Sequence, residues 1–573
     1  MAARFTQNAW LNKVYLWLVL HPRWLLVIAV LAVLVPFLAK PFNMDDPLFI
    51  WAARQIHAHP GNPYGFAVNW YGTVTPMWEV TKNPPLACYY LATAAQFFGW
   101  SELALHAAFL LPALAVILGT YRLASRFCGR PLWAALLTLL TPVFLVSSTT
   151  VMCDVLMLAL WIWAVVFWVE GIRGDNWLHL TGAGLLIALA TLTKYYAVAL
   201  VPLLAAYGLV QRKSLGVWLL GLLIPVVVLG AYHLTTQHFY GRTLLGDALN
   251  YTAMPKGVAE FASLKSGSSL TALAFTGGCL AVVTFLTPLL WRIKQLSMIA
   301  GGVGLLAFLC FESGTILKDY GPITGSSRWF IEFQIIFWAI GGGGVLALAF
   351  TDVWRRRDAD SWLLGLWVIG TFLFAALFNW TVNGRTILPM TPAVALLLVR
   401  RLELNAMRGK SWPEGAGFGA VAGAMMALWV AWADFGFARA VRESARLTFA
   451  KYGNGSARFW YQGHWGFQYY LDQLGAKALD AERTRLQRAD LIATPENNTN
   501  FAPLGPELVV LREIIAVPGT GWLATMKGEV GAGFYASSRG PLPFAFGLPP
   551  AERVFVCVVD PISPPAPPTS SIK

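Results

Sequence analysis

The chain has 573 residues, of which 57% are hydrophobic and only 12% charged, at a mean hydropathy of +0.57. A soluble globular protein of this length does not carry so little charge, so the composition excludes one and indicates an integral membrane protein. The formal charge of +13 does not point to nucleic acid, because the basic residues collect in short loops at alternate ends of apolar segments, where membrane orientation accounts for them.

The first apolar run, "WLLVIAVLAVLVPFLA" (24–39), follows Arg4, Lys13 and Arg23 and has no small-residue cleavage site after it. It is expected as a retained helix, close to the roughly 20 residues that span about 30 Å of hydrocarbon. Further spans are expected near 103–121, 132–148, 154–170, 177–192, 195–211, 215–234, 270–291, 296–312, 331–351, 361–379, 386–400 and 415–435. The loops with Arg122/Arg126/Arg130, Arg173, Arg212/Lys213, Arg292/Lys294, Arg355/Arg356/Arg357 and Arg400/Arg401/Arg408/Lys410 are placed in the cytoplasm. Thirteen spans then leave the amino terminus inside and the carboxyl terminus outside. The stretch "PPLACYYLATAAQFF" (84–98) is too short to span comfortably and would break this charge parity, so it is expected as an interfacial or re-entrant helix.

Residues 1–435 therefore form the expected membrane domain, with an outer loop at 41–84. From 436 to 573 the polarity is mixed, and "PELVVLREIIAVP" and "ERVFVCVVDP" look like strands between turns. A small α/β or α+β outer domain ending in a disordered "PPAPPTSSIK" is expected. "GGGG" at 341–344 lies inside an apolar span, where glycines allow helices to approach closely. The six cysteines offer no disulfide framework and no metal spacing; no metal site and no cofactor are assigned. No G-x-G-x-x-G follows a strand, so no nucleotide-binding module is expected.

The charges that orientation does not explain fall on the outer side. "NMDDPLF" places Asp45 and Asp46 just after the first span, with Asp46 before Pro47 in the pattern of a helix cap. Trp70, Tyr71 and Trp78 follow in the same loop and offer stacking faces, although packing is their commoner role. The loop closes with Lys82, Asn83 and a double proline. Asp154 opens the fourth span after an uncharged loop; its bland explanation is a carboxylate favoured by the helix dipole. Lys194 sits at the outer tip of the next hairpin, and His233, His238, Arg242, Arg328 and Arg385 lie on the same side. A lone histidine here is more often structural than a ligand, whereas ionisable groups at membrane depth mark candidate sites.

"MDDP", "KNPPLACYY", "MCDVLML", "LTKYYAV" and "GRTILPMTPAVALLL" together resemble the membrane glycosyltransferases of the GT-C fold, in the branch of the protein O-mannosyltransferases and the bacterial lipid A aminoarabinose transferase. The likeness covers about residues 20–400. It implies an inverting transfer of a sugar from a polyprenyl-phosphate donor to a lipid, glycan or protein acceptor on the outer face; with no eukaryotic retention signal in the sequence, a bacterial inner membrane with the site facing the periplasm is expected. It also implies that Asp45 acts on the acceptor, with Asp46 as second acid of the pair, that Asp154 is the second outer acid, and that Lys82 and Arg385 lie near the donor phosphate. The chemistry of the residues agrees. A carboxylate serves as base for the acceptor, and a lipid phosphate leaves without a general acid if cations such as Lys82, Lys194, Arg242 and Arg385 stabilise it. The rival from another class is a lipid-sugar or polysaccharide flippase, which predicts charges near the bilayer midplane and repeated halves, neither of which is visible. A polysaccharide polymerase or ligase would share the chemistry and differ in acceptor.

Overall fold

The computed structural model describes residues 21–252, 258–314, 316, 326–407, 415–505, 507–519 and 521–560. Arg4, Lys13, Arg408, Lys410 and the proline-rich tail lie outside the described residues. The protein is a polytopic helical membrane protein with a C-terminal sheet. Seven described helices are long and apolar enough to cross a membrane: Glu102–Phe127, Asp154–Gly174, Val217–Tyr240, Ile293–Glu312, Arg328–Arg356, Ala359–Phe378 and Gly415–Tyr452. Pro22–Phe37, Leu86–Phe98 and Trp177–Thr193 are shorter apolar helices. At about 1.5 Å per residue, the 13 residues of Leu86–Phe98 reach only about 20 Å.

Two expected spans are broken. The segment 132–148 becomes Pro131–Leu139 and Pro142–Ser148, bent by 63°. Pro142 disfavours the helical conformation at Thr141, whose ψ of 141° is extended. The segment 270–291 becomes Gly267–Cys279 and Ala281–Leu290, bent by 89°. Leu280 leaves the helical basin there, and the Thr284 hydroxyl donates to the Gly277 carbonyl at 3.0 Å, satisfying a group that the break would orphan. The span expected at 386–400 is a short turn, Gly384–Ile387, continuing through Leu388–Met390 into Thr391–Met407.

The "GGGG" stretch packs against the helix Val258–Cys279. A Cβ on Gly342 would stand 2.1 Å from the Leu273 carbonyl oxygen, and one on Gly277 would stand 1.8 Å from that of Trp338. Both obstacles are backbone, so neither can swing away. Gly342→Ala is therefore expected to destabilise the folded protein by about 1–3 kcal/mol through overpacking. Thermal unfolding in detergent checks this; an unchanged midpoint would mean that the two helices are not held in contact.

Contacts divide the chain into two compact units. The first comprises Met1–Lys40, Lys82–Asp434 and Gly521–Leu548; the second comprises Pro41–Thr81, Phe435–Thr520 and Pro549–Lys573, within the described residues. The loop 41–81 packs with the C-terminal sheet because its backbone and aromatics find partners there. Phe42 donates its N–H to the Tyr470 hydroxyl at 2.9 Å, Gly466 donates to Asn43 Oδ1 at 3.3 Å, and the Phe42 ring packs edge-on to Tyr469. Segment 521–548 joins the helices because it is itself apolar: Leu523, Val530, Phe534, Leu542 and Phe544 are buried.

The sheet of the second unit has five strands, in the order Lys477–Ala478, Phe459–Tyr461, Leu491–Pro495, Glu552–Val559, Val509–Val517. The first three run parallel to one another, and Glu552–Val559 is antiparallel to both its neighbours. The two runs expected as strands are thus adjacent. Loop 41–81 adds the helix Asp46–Ala58 and a hairpin pairing Ala67–Asn69 with Val74–Pro76.

Candidate active site

The helix at "DDPLF" starts one residue earlier than its sequence suggests. Asp45, not Asp46, occupies the capping position, and its side chain makes no capping hydrogen bond. Asp46 is the first helical residue, 1% exposed, and its carboxylate accepts from the Asn43 N–H at 3.0 Å. That bond holds the turn through Met44, whose φ is +50°. The two acids thus divide: Asp46 builds the turn, and half-exposed Asp45 is presented by it. Burial and the charge of Asp45 both raise the pKa of Tyr71, which keeps its phenol protonated. Tyr71 is 45% exposed. Trp70 is not available to stack on a sugar, because it is buried between Trp51 and His464.

The other predicted residues belong to the helical unit. Asp154 opens the helix Asp154–Gly174 and is 1% exposed. Its Oδ1 accepts from Lys194 Nζ at 2.6 Å, across 40 residues of sequence. Lys194 ends the helix Trp177–Thr193 in extended backbone and so reaches across the hairpin. The second carboxylate oxygen, Oδ2, is buried and has no hydrogen-bond partner among the described residues. An orphaned buried acceptor costs about 1–3 kcal/mol, more when charged, and marks a place where a ligand hydroxyl or ordered water belongs.

Arg385 stands beside this pair. Its Nη1 donates to Met152 Sδ at 2.9 Å, two residues before Asp154. Asp154, Lys194 and Arg385 all lie within electrostatic range of the Cys153 thiol, as does Cys88 on the helix Leu86–Phe98. Arg242 pairs with Asp247 at 2.7 Å, and Asp247 is in turn within electrostatic range of Tyr195, next in sequence to Lys194. Lys82 Nζ lies 5.5 Å from the centre of the Tyr251 ring, which packs edge-on to Trp380, five residues before Arg385. Separate contacts thus join Lys82 to Tyr251 and Trp380, Arg385 to Met152, Asp154 to Lys194, and Arg242 to Asp247, and chain neighbours lie between them. Arg328 pairs with Glu332 at 2.8 Å.

Sequence reasoning missed Lys40, Asp434, Asp247, Tyr251 and Tyr535. A signal existed for Asp434, the lone acid in the apolar stretch "LWVAWADFGF". None existed for Tyr251 or Tyr535, whose roles arise from what they touch.

Comparison with known proteins gives a family match over part of the chain. Residues 82–234 match the model of the dolichyl-phosphate-mannose-protein mannosyltransferase family. "KNPPLACYY", "MCDVLML" and "LTKYYAV" fall inside that stretch; "MDDP" and "GRTILPMTPAVALLL" fall outside it. No curated protein sequence matches the chain. Among solved structures, ArnT from Cupriavidus metallidurans bound to undecaprenyl phosphate is 13% identical, at a TM-score of 0.47, over 84% of this chain and 93% of that one. The oligosaccharyltransferase AglB from Archaeoglobus fulgidus, in complex with an inhibitory peptide and a dolichol-phosphate, is 14% identical, at a TM-score of 0.46, over 84% of this chain and 70% of that one. The arabinofuranosyltransferase AftD from Mycobacteria is 12% identical, at a TM-score of 0.38, over 94% of this chain and 40% of that one. At these scores the likeness assigns no role to any residue.

Proposed function

We propose that this protein is a membrane glycosyltransferase that moves a sugar from a polyprenyl-phosphate donor to an acceptor hydroxyl or amine with inversion at the anomeric carbon. The observation that carries the proposal is the buried Asp154 carboxylate, held by Lys194 through one oxygen with the other unsatisfied, with Arg385 against Met152 two residues away. Three of the four cations and most of this geometry's backbone lie in or beside the stretch that matches a family of lipid-phosphate-dependent sugar transferases.

In the proposed step Asp45 takes the proton from the acceptor as its oxygen or nitrogen bonds to the anomeric carbon. The bond from that carbon to the phosphate oxygen breaks, and the electron pair leaves on polyprenyl phosphate. Lys82, Lys194, Arg242 and Arg385 hold that phosphate and stabilise the charge growing on it. Asp154 orients Lys194, and its second oxygen accepts a hydrogen bond from a sugar hydroxyl or amine. Asp46 keeps the turn that presents Asp45. The apolar helices admit the insoluble prenyl chain sideways from the bilayer. The positive-inside pattern of the basic loops supports a site on the periplasmic side of a bacterial inner membrane. The acidic loop, with its helix and hairpin, then serves the acceptor, and the sheet domain stands outside the membrane.

The test is an assay of the full-length protein in proteoliposomes with labelled polyprenyl-phosphate sugar. Stoichiometric release of polyprenyl phosphate with label on a second molecule is the expected result. Movement of the donor between leaflets with no covalent transfer would favour the flippase and overturn the proposal. Comparative mass spectrometry of lipids, glycans and surface proteins from cells with and without the chain identifies the acceptor.

A further inference from the structure

Lys40 and Asp434 are separated by 394 residues, are each 2% exposed, and meet with Nζ 2.5 Å from Oδ2. Lys40 also donates to the Thr149 hydroxyl at 3.2 Å. Desolvating two charges costs more than their attraction reliably returns, so a buried pair of this kind calls for a reason beyond stability. The remaining partners of Asp434 supply one. Its Oδ1 accepts from the Thr525 hydroxyl at 2.9 Å, and its Oδ2 accepts from the Tyr535 hydroxyl at 2.9 Å. Both donors lie in the segment Gly521–Leu548, which returns to the helical unit from a distant part of the chain.

That segment grips the backbone around Arg385. Phe534 accepts the Gly384 N–H on its carbonyl at 2.8 Å. Ser537 accepts the Val382 N–H on its hydroxyl at 3.0 Å and returns its own N–H to the Val382 carbonyl at 2.8 Å. The hydroxyls of Thr381 and Ser537 are 3.0 Å apart. Between these anchors, the Tyr535 ring centre lies 6.0 Å from the Arg385 guanidinium carbon, a cation–π contact. The approach is close enough to require glycine at 384, where a Cβ would meet the Phe534 ring at 2.6 Å. One tyrosine thus offers its hydroxyl to Asp434 and its face to Arg385.

We infer that Gly521–Leu548 is a clamp, anchored by the Lys40–Asp434 pair, that positions Arg385 for the donor phosphate. Lys40, Asp434, Tyr535 and Ser537 are positioning residues, acting through Arg385. The last step, from Arg385 to the phosphate, rests on the function proposed above; the clamp itself does not. A pair serving stability alone would spread its partners over the neighbouring helices. Here Asp434 holds Thr525 and Tyr535 of the segment, and Phe534 and Ser537 of the same segment bond to Thr381, Val382 and Gly384, which lead into Arg385.

The experiment uses the full-length protein in detergent with three variants, Asp434→Asn, the milder Tyr535→Phe, which keeps the ring, and Ser537→Ala. Hydrogen–deuterium exchange is followed in peptides covering 379–388 and 154–174, and binding is measured with a C55 polyprenyl monophosphate. The clamp predicts exchange at 379–388 faster by at least about threefold, with 154–174 unchanged. The positioning role predicts that polyprenyl phosphate binds roughly tenfold more weakly and that the donor KM rises while the acceptor KM stays within about twofold. Unchanged exchange at 379–388 in all three variants overturns the clamp. Faster exchange with undiminished binding in the variants, where the wild type binds, overturns the positioning role. Faster exchange with a wild type that binds no polyprenyl phosphate leaves the clamp standing and rejects the transferase. Asp434→Asn leaves Lys40 buried beside a neutral partner; if it fails to fold, Tyr535→Phe and Ser537→Ala carry the same tests.

Discussion

Replacing Asp45 by Asn lowers the rate of sugar transfer by about two to four orders of magnitude, the range associated with loss of a positioned general base. The change is isosteric, and the Asp45 side chain makes no capping bond that the helix Asp46–Ala58 needs, so folding and membrane insertion are expected to survive. Polyprenyl phosphate binding is expected to stay within about twofold, because the cations assigned to it are elsewhere in the chain. Asp46→Asn gives the contrast. It weakens the bond to the Asn43 N–H and disturbs the turn, so it costs stability as well as rate. Single-turnover transfer, alongside thermal unfolding, separates the two. Near-normal transfer by Asp45→Asn would remove this residue from the chemistry and require another acceptor base.

The second large effect is at Lys194. Lys194→Met leaves Asp154 buried with neither oxygen paired, and breaking a buried pair from one side costs about 3–5 kcal/mol. Removing both charges is a different perturbation, because no ion is left stranded. The double variant Asp154→Leu with Lys194→Met is therefore expected to recover most of the lost stability and none of the activity. Unfolding midpoints of the two single variants and the double variant, read with transfer rates, form the cycle. If the double variant transfers sugar at the wild-type rate, the pair is a structural device and has no catalytic meaning. If the double variant is no more stable than Lys194→Met alone, the two groups do not interact as described.

Much of the architecture was legible because hydropathy acts locally. The expected spans fall largely on helical segments, of which seven described helices and two bent pairs are long and apolar enough to cross a membrane, and the two runs expected as strands lie side by side in the sheet. The breaks were less legible. Neither was expected: Pro142 accounts for one, and at the 89° bend a threonine satisfies a carbonyl seven residues before it. At the candidate site, the seven residues could be named from their sidedness and motifs, but not their division of labour. Asp46 read as the helix cap and Asp45 as the acid without such a role, whereas Asp45 stands at the capping position and Asp46 holds the turn through its bond to Asn43. The segment 521–548 was expected in the soluble domain because its glycines and prolines resemble loop. Its place among the helices follows from buried Phe534, Leu542 and Phe544 and from the bonds to Asp434.

By itself the sequence determined that this chain lives in a bilayer, where its helices run, and which charges orientation leaves unexplained. Those properties depend on the transfer of each segment between water and lipid, which neighbouring residues decide. Tertiary structure alone decided which of those charges meet. Lys194 finds Asp154 across 40 residues, and Lys40 finds Asp434 across 394. The physical reason is that a charge excluded from water must find its partner in space, and nothing in the residues adjoining either one records where in the chain that partner lies.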